Sequence, residues 1–380
     1  HESRGLGDVY KRQGKVIAPN IKRLADSGVN FARAYSASTV CTPSRTAVLS
    51  GVAPWRSGVY GNGYSTSKSP VIRDSVPLPT LFRQAGYHTA ASGKIDHGYK
   101  IPSSAYDAAF QQFGDPKPDT PLNGWAKDKN GRVTSKDWGV YDLVPEEEIN
   151  DHQYADFAIG QLRREHDKPF FIACGIFRPH NPWYAPKKYF DRYPLDEIVL
   201  PEIQENDLDD VPELGRRLVE KNVLPQILEH NQQKQGIQAY LACTTFADVQ
   251  IGRVLDALEK SPYKDNTIVV LWSDHGWHLG EKQHWTKGTL WEEASHCLMM
   301  FKVPGVTAPG GTCERFVSLL DVYPTLTELT GIAPPEGQID GTSLVPLLKN
   351  PDAPSESRAR SAYVNPVSYT HLRAHETRAF

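Results

Sequence analysis

Apolar positions along this chain recur at two spacings. Ile21, Leu24 and Ala25 fall at helical intervals within residues 18–28, and the segment closes on Gly28, which predicts a short amphipathic helix. Residues 30–35 (NFARAY) alternate as a strand does. Residues 42–51 (TPSRTAVLSG) predict a helix with Thr42 as N-cap, Pro43 at its first position and Gly51 just past its end. Further helices are expected over 78–85, 146–166 and 236–260, and strands over 88–92, 169–176 and 266–273, with 297–303 and 321–331 continuing the alternation. Strands alternating with helices indicate a mostly parallel sheet covered on both faces, whose chemistry collects in the loops beyond the strands' carboxyl ends. Polar clusters occupy three such places, at 93–97, 178–180 and 274–287.

Composition narrows the function. With 42 Lys and Arg against 45 Asp and Glu, the net charge of −3 leaves no footprint for nucleic acid or an anionic membrane. Hydrophobic residues at 39% and aromatics at 10% exclude a disordered chain, and the longest apolar run, 170–177, is strand-sized rather than membrane-spanning. The five cysteines lie at scattered spacings with no CxxC pair, so neither a zinc cage nor a disulfide framework is indicated. Cys174, Cys243 and Cys297 sit among apolar neighbours and read as small buried hydrophobes. Residues 1–13 and 367–380 show no periodicity and read as non-native, adapter-like segments, leaving 14–335 as one large domain. From 336 to 366 the composition turns Pro/Gly-rich and then polar, as at the start of a smaller C-terminal subdomain that is cut short.

The remaining cysteine opens VCTPSRTAVLSG (40–51), and here the chain resembles the sulfatase family, whose C-x-P-S-R signature falls on Cys41, Thr42, Pro43, Ser44 and Arg45. The resemblance continues through GYHTAASGKIDHG, FRPHNPW and SDHGWHLGEKQHWTK, over roughly residues 14–366. It implies an alkaline-phosphatase-like α/β fold, a mostly parallel central sheet sandwiched by helices. It also implies conversion of Cys41 to formylglycine by a formylglycine-generating or radical maturation enzyme, and release of inorganic sulfate from a sulfated carbohydrate. Helix N-termini suit such chemistry, because about half a positive charge and unpaired N–H donors face the incoming anion. By resemblance, Cys41 and Arg45 form the nucleophile site, and Lys94 and His97 bind sulfate and remove the proton that restores the aldehyde. His180 and Lys287 contact the ester oxygen and protonate the leaving group, so that Lys94, His180 and Lys287 together bind substrate.

For the metal, Ca2+ or Mg2+ by resemblance, Asp274 and His275 follow a buried strand, and the modified Cys41 completes the contact. The family's Asp pair at the end of a first strand has no counterpart here. Asp8 is alone and lacks an apolar strand before it, so the domain reads as lacking its first strand. Taken singly, the Asp274-His275 pair suits a strand-end turn, and His97 or His180 a structural histidine; the Cys41 motif turns them into one constellation. Asp96 and His278 read as supporting or solvated turn residues. Trp183, Trp277, Trp285 and Trp291 offer either sugar-stacking faces or core, and Arg178, Trp183 and Lys187 suit a polyanionic sugar. Two other readings stay open: a phosphate or phosphonate ester hydrolase on the same fold, and a non-catalytic sulfoglycan-binding fragment. A thiol hydrolase built on Cys41 and a histidine is more remote. The family's export implies a periplasmic or secreted protein.

Overall fold

The computed structural model describes residues 16–64, 66–97, 105–110, 122–123, 136–204, 206–219 and 223–363; the ends 1–13 and 367–380, expected above to be adapter-like, and Asp8 lie outside them. Its strands are β1 (Val29–Tyr35), β2 (His88–Gly93), β3 (Ala108–Phe110), β4 (Trp138–Val140), β5 (Phe170–Gly175), β6 (Trp183–Ala185), β7 (Val269–Trp272), β8 (His278–Leu279), β9 (Trp285–Thr286), β10 (His296–Cys297), β11 (Met299–Lys302) and β12 (Gly311–Ser318). The helices that carry the argument are α1 (Pro19–Ser27), α2 (Cys41–Ser50), α3 (Leu78–Gln84), α4 (Asn150–Leu162), α5 (Gln233–Glu259) and α6 (Val322–Thr330).

The α/β, helix-flanked architecture is as expected, whereas the strand directions are mixed. One sheet runs β10-β1-β11-β7 with β12 beside β1; β12 is parallel to β1, while β10 and β11 are antiparallel to it and β7 is antiparallel to β11. A second, wholly parallel sheet runs β3-β2-β5. Strand β5 pairs only with β2, and β7 only with β11, among the described residues. Both strands line a cavity of about 1130 Å³ that α1, α4, α5 and α6 also border and that reaches Arg45, Lys94, His180, Asp274 and His275. Every residue of β5 and β7 is partly exposed, in contrast to the buried run of β1.

Local chemistry accounts for the boundaries. Ala18 cannot cap α1, so Asp248 of α5 does, its Oδ1 accepting the N–H of Asn20 at 3.1 Å and of Ile21 at 2.8 Å. The helix expected over 146–166 is split: 146–148 form a 3-10 turn, and Ile149, with extended ψ of 132°, interrupts it before α4 begins. Thr42 is not an N-cap. Helix α2 starts at Cys41, preceded by Val40 in extended conformation with no side-chain cap, while Gly51 ends it in the left-handed region at φ 70°. Gly93 also turns left-handed at φ 71°, where a Cβ would strike the Gly175 carbonyl at 2.2 Å; this bend ends β2 and delivers Lys94.

Aliphatic and aromatic side chains from β1, β7, β11, β12 and α6 form one core, and α1, α5 and the 183–193 segment form another. Residues 336–363 pack back onto the segment around α2: the Asp340 N–H reaches the Gly51 carbonyl at 2.9 Å, and the Ala362 N–H reaches the Ala37 carbonyl at 2.9 Å. Among the described residues no helix is long and apolar enough to cross a membrane.

Candidate active site

Four segments meet at the Cys41 thiol. Starting α2 at Cys41 puts this side chain in the first helical turn, and it is only 1% exposed. Around Sγ stand Lys287 Nζ at 2.9 Å, His275 Nε2 at 3.3 Å and Lys94 Nζ at 3.4 Å. Lys94 follows β2, His275 follows β7, and Lys287 follows β9, so strand ends supply most of the pocket. His180 comes from the loop between β5 and β6, with Nε2 3.0 Å from Lys287 Nζ. His97 lies beside the start of α2, its Nδ1 2.7 Å from Thr42 Oγ1. The structure therefore brings Cys41, Arg45, Lys94, His97, His180, Asp274, His275 and Lys287 into one cluster.

Arg45 is a brace in this cluster. Its Nε donates to Asp274 Oδ2 at 2.7 Å and its Nη1 to the Lys94 carbonyl at 2.5 Å, while the guanidinium lies 5.7 Å from the Trp272 ring centroid. It so ties the end of β7 to the end of β2 across α2. Ser44 adds a second tie, Oγ donating to the Asp274 carbonyl at 2.5 Å.

The field in the pocket is strongly positive. Burial opposes the thiolate of Cys41, and Asp274 opposes it too, but His275, Lys287 and a hydrogen bond from His180 hold the thiol well below its ordinary range. Burial likewise disfavours the Asp274 carboxylate, yet Arg45, His275, Lys94 and Lys287 keep it far below the usual carboxylate value. Burial pushes Lys94 down against the pull of Cys41 and Asp274, and burial with the neighbouring cations lowers His97. His180 falls to about 4, through burial first and Lys287 second.

Cys41, Asp274 and His275 bring three donor atoms within 4.8 Å of one another. His275 hydrogen-bonds through Nδ1 to the Gly276 carbonyl at 2.8 Å, which aims the Nε2 lone pair into the pocket as a metal ligand requires. Calcium takes six to eight oxygens, so of these donors the Asp274 carboxylate suits it best, the imidazole nitrogen and unmodified sulfur are softer, and the three supply only part of a cation shell. The Lys287 ammonium stands among these donors, 3.1 Å from His275 Nε2.

Several expected sugar contacts are elsewhere. Arg178 is 4% exposed and paired with Asp151, Trp183 and Trp285 are core residues at 1% and 2% exposure, and Lys187 is on the surface against Asp191. Trp277 does border the site, its ring 5.3 Å from Lys287 Nζ, whereas Trp291 packs on His278. His278 is buried and bonded to Thr289 Oγ1 at 2.7 Å, a support for the 278–289 loop rather than a solvated turn. Asn62, unnoticed in the sequence, accepts the Thr42 N–H at 2.8 Å and so takes up one of the free donors at the start of α2. Its only signal is the turn-forming Gly61-Asn62-Gly63 triplet.

A family model described as Sulfatase matches residues 8–332. A "Sulfatase" of Formosa agariphila is 36% identical over 366 residues, covering 92% of this chain and 71% of that protein. A "Choline-sulfatase" of Rhizobium meliloti is 31% identical over 353 residues, covering 87% and 66%. Among solved structures, a phosphonate monoester hydrolase from Silicibacter pomeroyi superposes with a TM-score of 0.77 at 22% identity, covering 94% of this chain and 77% of that one. A protein solved with its substrate D-glucosamine-2-N,6-O-disulfate superposes at 0.71 with 22% identity, covering 98% and 83%.

Proposed function

This chain belongs to the sulfatase family and has the alkaline-phosphatase-like α/β fold, and from that premise we propose that it hydrolyses the sulfate ester of a carbohydrate with a nucleophile derived from Cys41. The observation that carries the reading is the convergence of Lys94, Lys287 and His275 on a sulfur in the first turn of a helix. Two ammonium groups suit the non-bridging oxygens of a sulfate monoester. The solved relative with a disulfated glucosamine supports a sugar as substrate.

In this reading a maturation enzyme, with an external two-electron oxidant, converts the Cys41 Cβ to an aldehyde and releases the sulfur as sulfide, and hydration gives two hydroxyls on one carbon. One hydroxyl gives up its proton to solvent and its oxygen attacks sulfur; as the new S–O bond forms, the bond to the bridging ester oxygen breaks and that oxygen departs with the electron pair. Lys287 supplies its proton, with His180 at 3.0 Å orienting the ammonium. Burial and the neighbouring Lys287 charge hold the His180 imidazole near pKa 4, so its Nε2 stands as an acceptor toward Lys287 Nζ. His97 then takes the proton of the second hydroxyl, the carbonyl re-forms, and sulfate leaves with the electrons of the broken C–O bond. Lys94 holds the sulfate oxygens through both steps.

Asp274 and His275 would hold a calcium-type cation, which supplies charge that acidifies the attacking hydroxyl. Arg45 keeps Asp274 ionised and fixed for that purpose. Export to the periplasm or cell exterior follows from the same reading.

The test is sulfate release by protein co-expressed with a maturation enzyme, on a sulfated monosaccharide, an aryl sulfate and an aryl phosphonate. Sulfate release that disappears in Cys41→Ala supports the reading. Retained turnover in that variant, or preference for the phosphonate, overturns it.

A further inference from the structure

The segment that carries His180 is held from behind by a single carboxylate. Asp151 lies in the first turn of α4 with a side chain 0% exposed, and it touches none of the groups around Cys41. Its Oδ1 accepts the Phe177 N–H at 2.6 Å, and its Oδ2 accepts the Arg178 N–H at 3.2 Å and Arg178 Nη1 at 2.8 Å. Arg178 carries the restraint onward: its Nε donates to the Tyr184 carbonyl at 2.5 Å, and its guanidinium lies 5.3 Å from the Phe246 ring. One buried ion pair thus clamps both ends of residues 177–184.

Within that clamp, His180 has little freedom. Its Nδ1 bonds to the Asn181 carbonyl at 2.7 Å, its ring packs on Phe177 at 5.0 Å, and Trp183 Nε1 donates to the Pro179 carbonyl at 2.7 Å. The Phe177 ring also lies 5.3 Å from Lys94 Nζ, so the residue whose N–H Asp151 holds contacts two groups of the pocket. The outcome is an imidazole whose Nε2 faces Lys287 at 3.0 Å.

We propose that Asp151, acting through Arg178 and the 177–184 loop, is the positioning residue for His180 and hence for delivery of the leaving-group proton. The inference rests on the sulfatase reading of His180 and Lys287 given above. An amide in place of the carboxylate keeps the volume but loses the negative charge opposite Arg178, and it presents an N–H₂ toward donors. A loop released in this way shifts His180, and misplacement of about 1 Å is enough to cost on the order of 10²-fold in rate.

The signature is dependence on the leaving group. Proton delivery matters for an alkyl or sugar sulfate and hardly for a nitrophenyl sulfate, whose oxygen departs unaided. In Asp151→Asn, kcat on the sugar sulfate is expected to fall at least about tenfold further than on the nitrophenyl ester. Arg178→Lys, which keeps the pairing charge but loses the second arm, should show the same split. Added to His180→Ala, Asp151→Asn should change the split no further. A second readout needs no turnover: carbethoxylation of His180, followed by peptide mass spectrometry, should be slow in the parent and several-fold faster in both variants. Equal losses on the two esters, or unchanged His180 labelling in a folded variant, overturn the positioning role. A parent that cleaves neither ester defeats the sulfatase reading instead, and the labelling still decides the role of Asp151.

Discussion

Lys287 places its Nζ 3.0 Å from His180 Nε2 and 2.9 Å from Cys41 Sγ, so one ammonium joins the leaving-group side of the pocket to its nucleophile. Lys287 and His180 should act as a unit. Lys287→Met and His180→Ala are each expected to lower kcat on a sugar sulfate by about 10²-fold or more, and the double variant to be little worse than either. Steady-state kinetics on the three proteins checks this; multiplied losses would mean two independent roles.

Arg45 joins the Asp274 carboxylate to the Lys94 carbonyl with two arms of one guanidinium. Lysine has a point charge and cannot span both. Arg45→Lys should retain the fold but lose activity by at least about 10²-fold, while Arg45→Ala, which strands the buried Asp274, should also lose about 3–5 kcal/mol of stability. Chemical denaturation and kinetics together distinguish the two variants.

Maturation should be visible directly on the Cys41 peptide. Intact-peptide mass spectrometry is expected to show the thiol replaced by an aldehyde only when a maturation enzyme is co-expressed, and aldehyde-reactive hydrazides should label that protein alone. Activity in protein whose Cys41 remains entirely thiol would contradict the proposed nucleophile.

His284 provides a pH test away from the chemistry. Burial lowers its pKa to about 4, its ring nitrogen Nε2 reaches the Lys287 carbonyl at 3.3 Å, and Nδ1 has no hydrogen-bond partner among the described residues. A histidine kept neutral by folding contributes stability that is present above its unfolded pKa, near 6.5, and lost as pH falls toward 4. The shift corresponds to about 3 kcal/mol. His284→Gln should flatten the decline of unfolding free energy between pH 7 and pH 4 by roughly that amount, the rest coming from groups such as His180. An unchanged pH slope would mean that His284 is already protonated in the fold.

The site was more legible than its scaffold. Residues after strand ends are where an α/β sheet collects chemistry, so Lys94, His180, Asp274 and His275 could be picked out from apolar runs that stop abruptly. Support from a distance was not legible. Pattern reading makes Thr42 an N-cap because threonine favours that position, but Thr42 Oγ1 meets His97 instead, and Asn62 from a separate loop takes its N–H. Arg178 and Trp183 look like sugar ligands because cations and aromatic rings beside a histidine suit a binding surface. Only the fold shows that Asp151, on an earlier helix, draws Arg178 inward. The antiparallel pairing of β11 with β1 and β7 was equally hidden, since an apolar run carries no mark of direction.

The Arg45 guanidinium bears on how the pocket comes apart. From α2 it holds both the Asp274 carboxylate after β7 and the Lys94 carbonyl after β2, so a local loosening of α2 frees both strand ends at once. Such sub-global opening costs less than melting the whole fold. Mild denaturant should therefore abolish turnover before the circular dichroism signal falls.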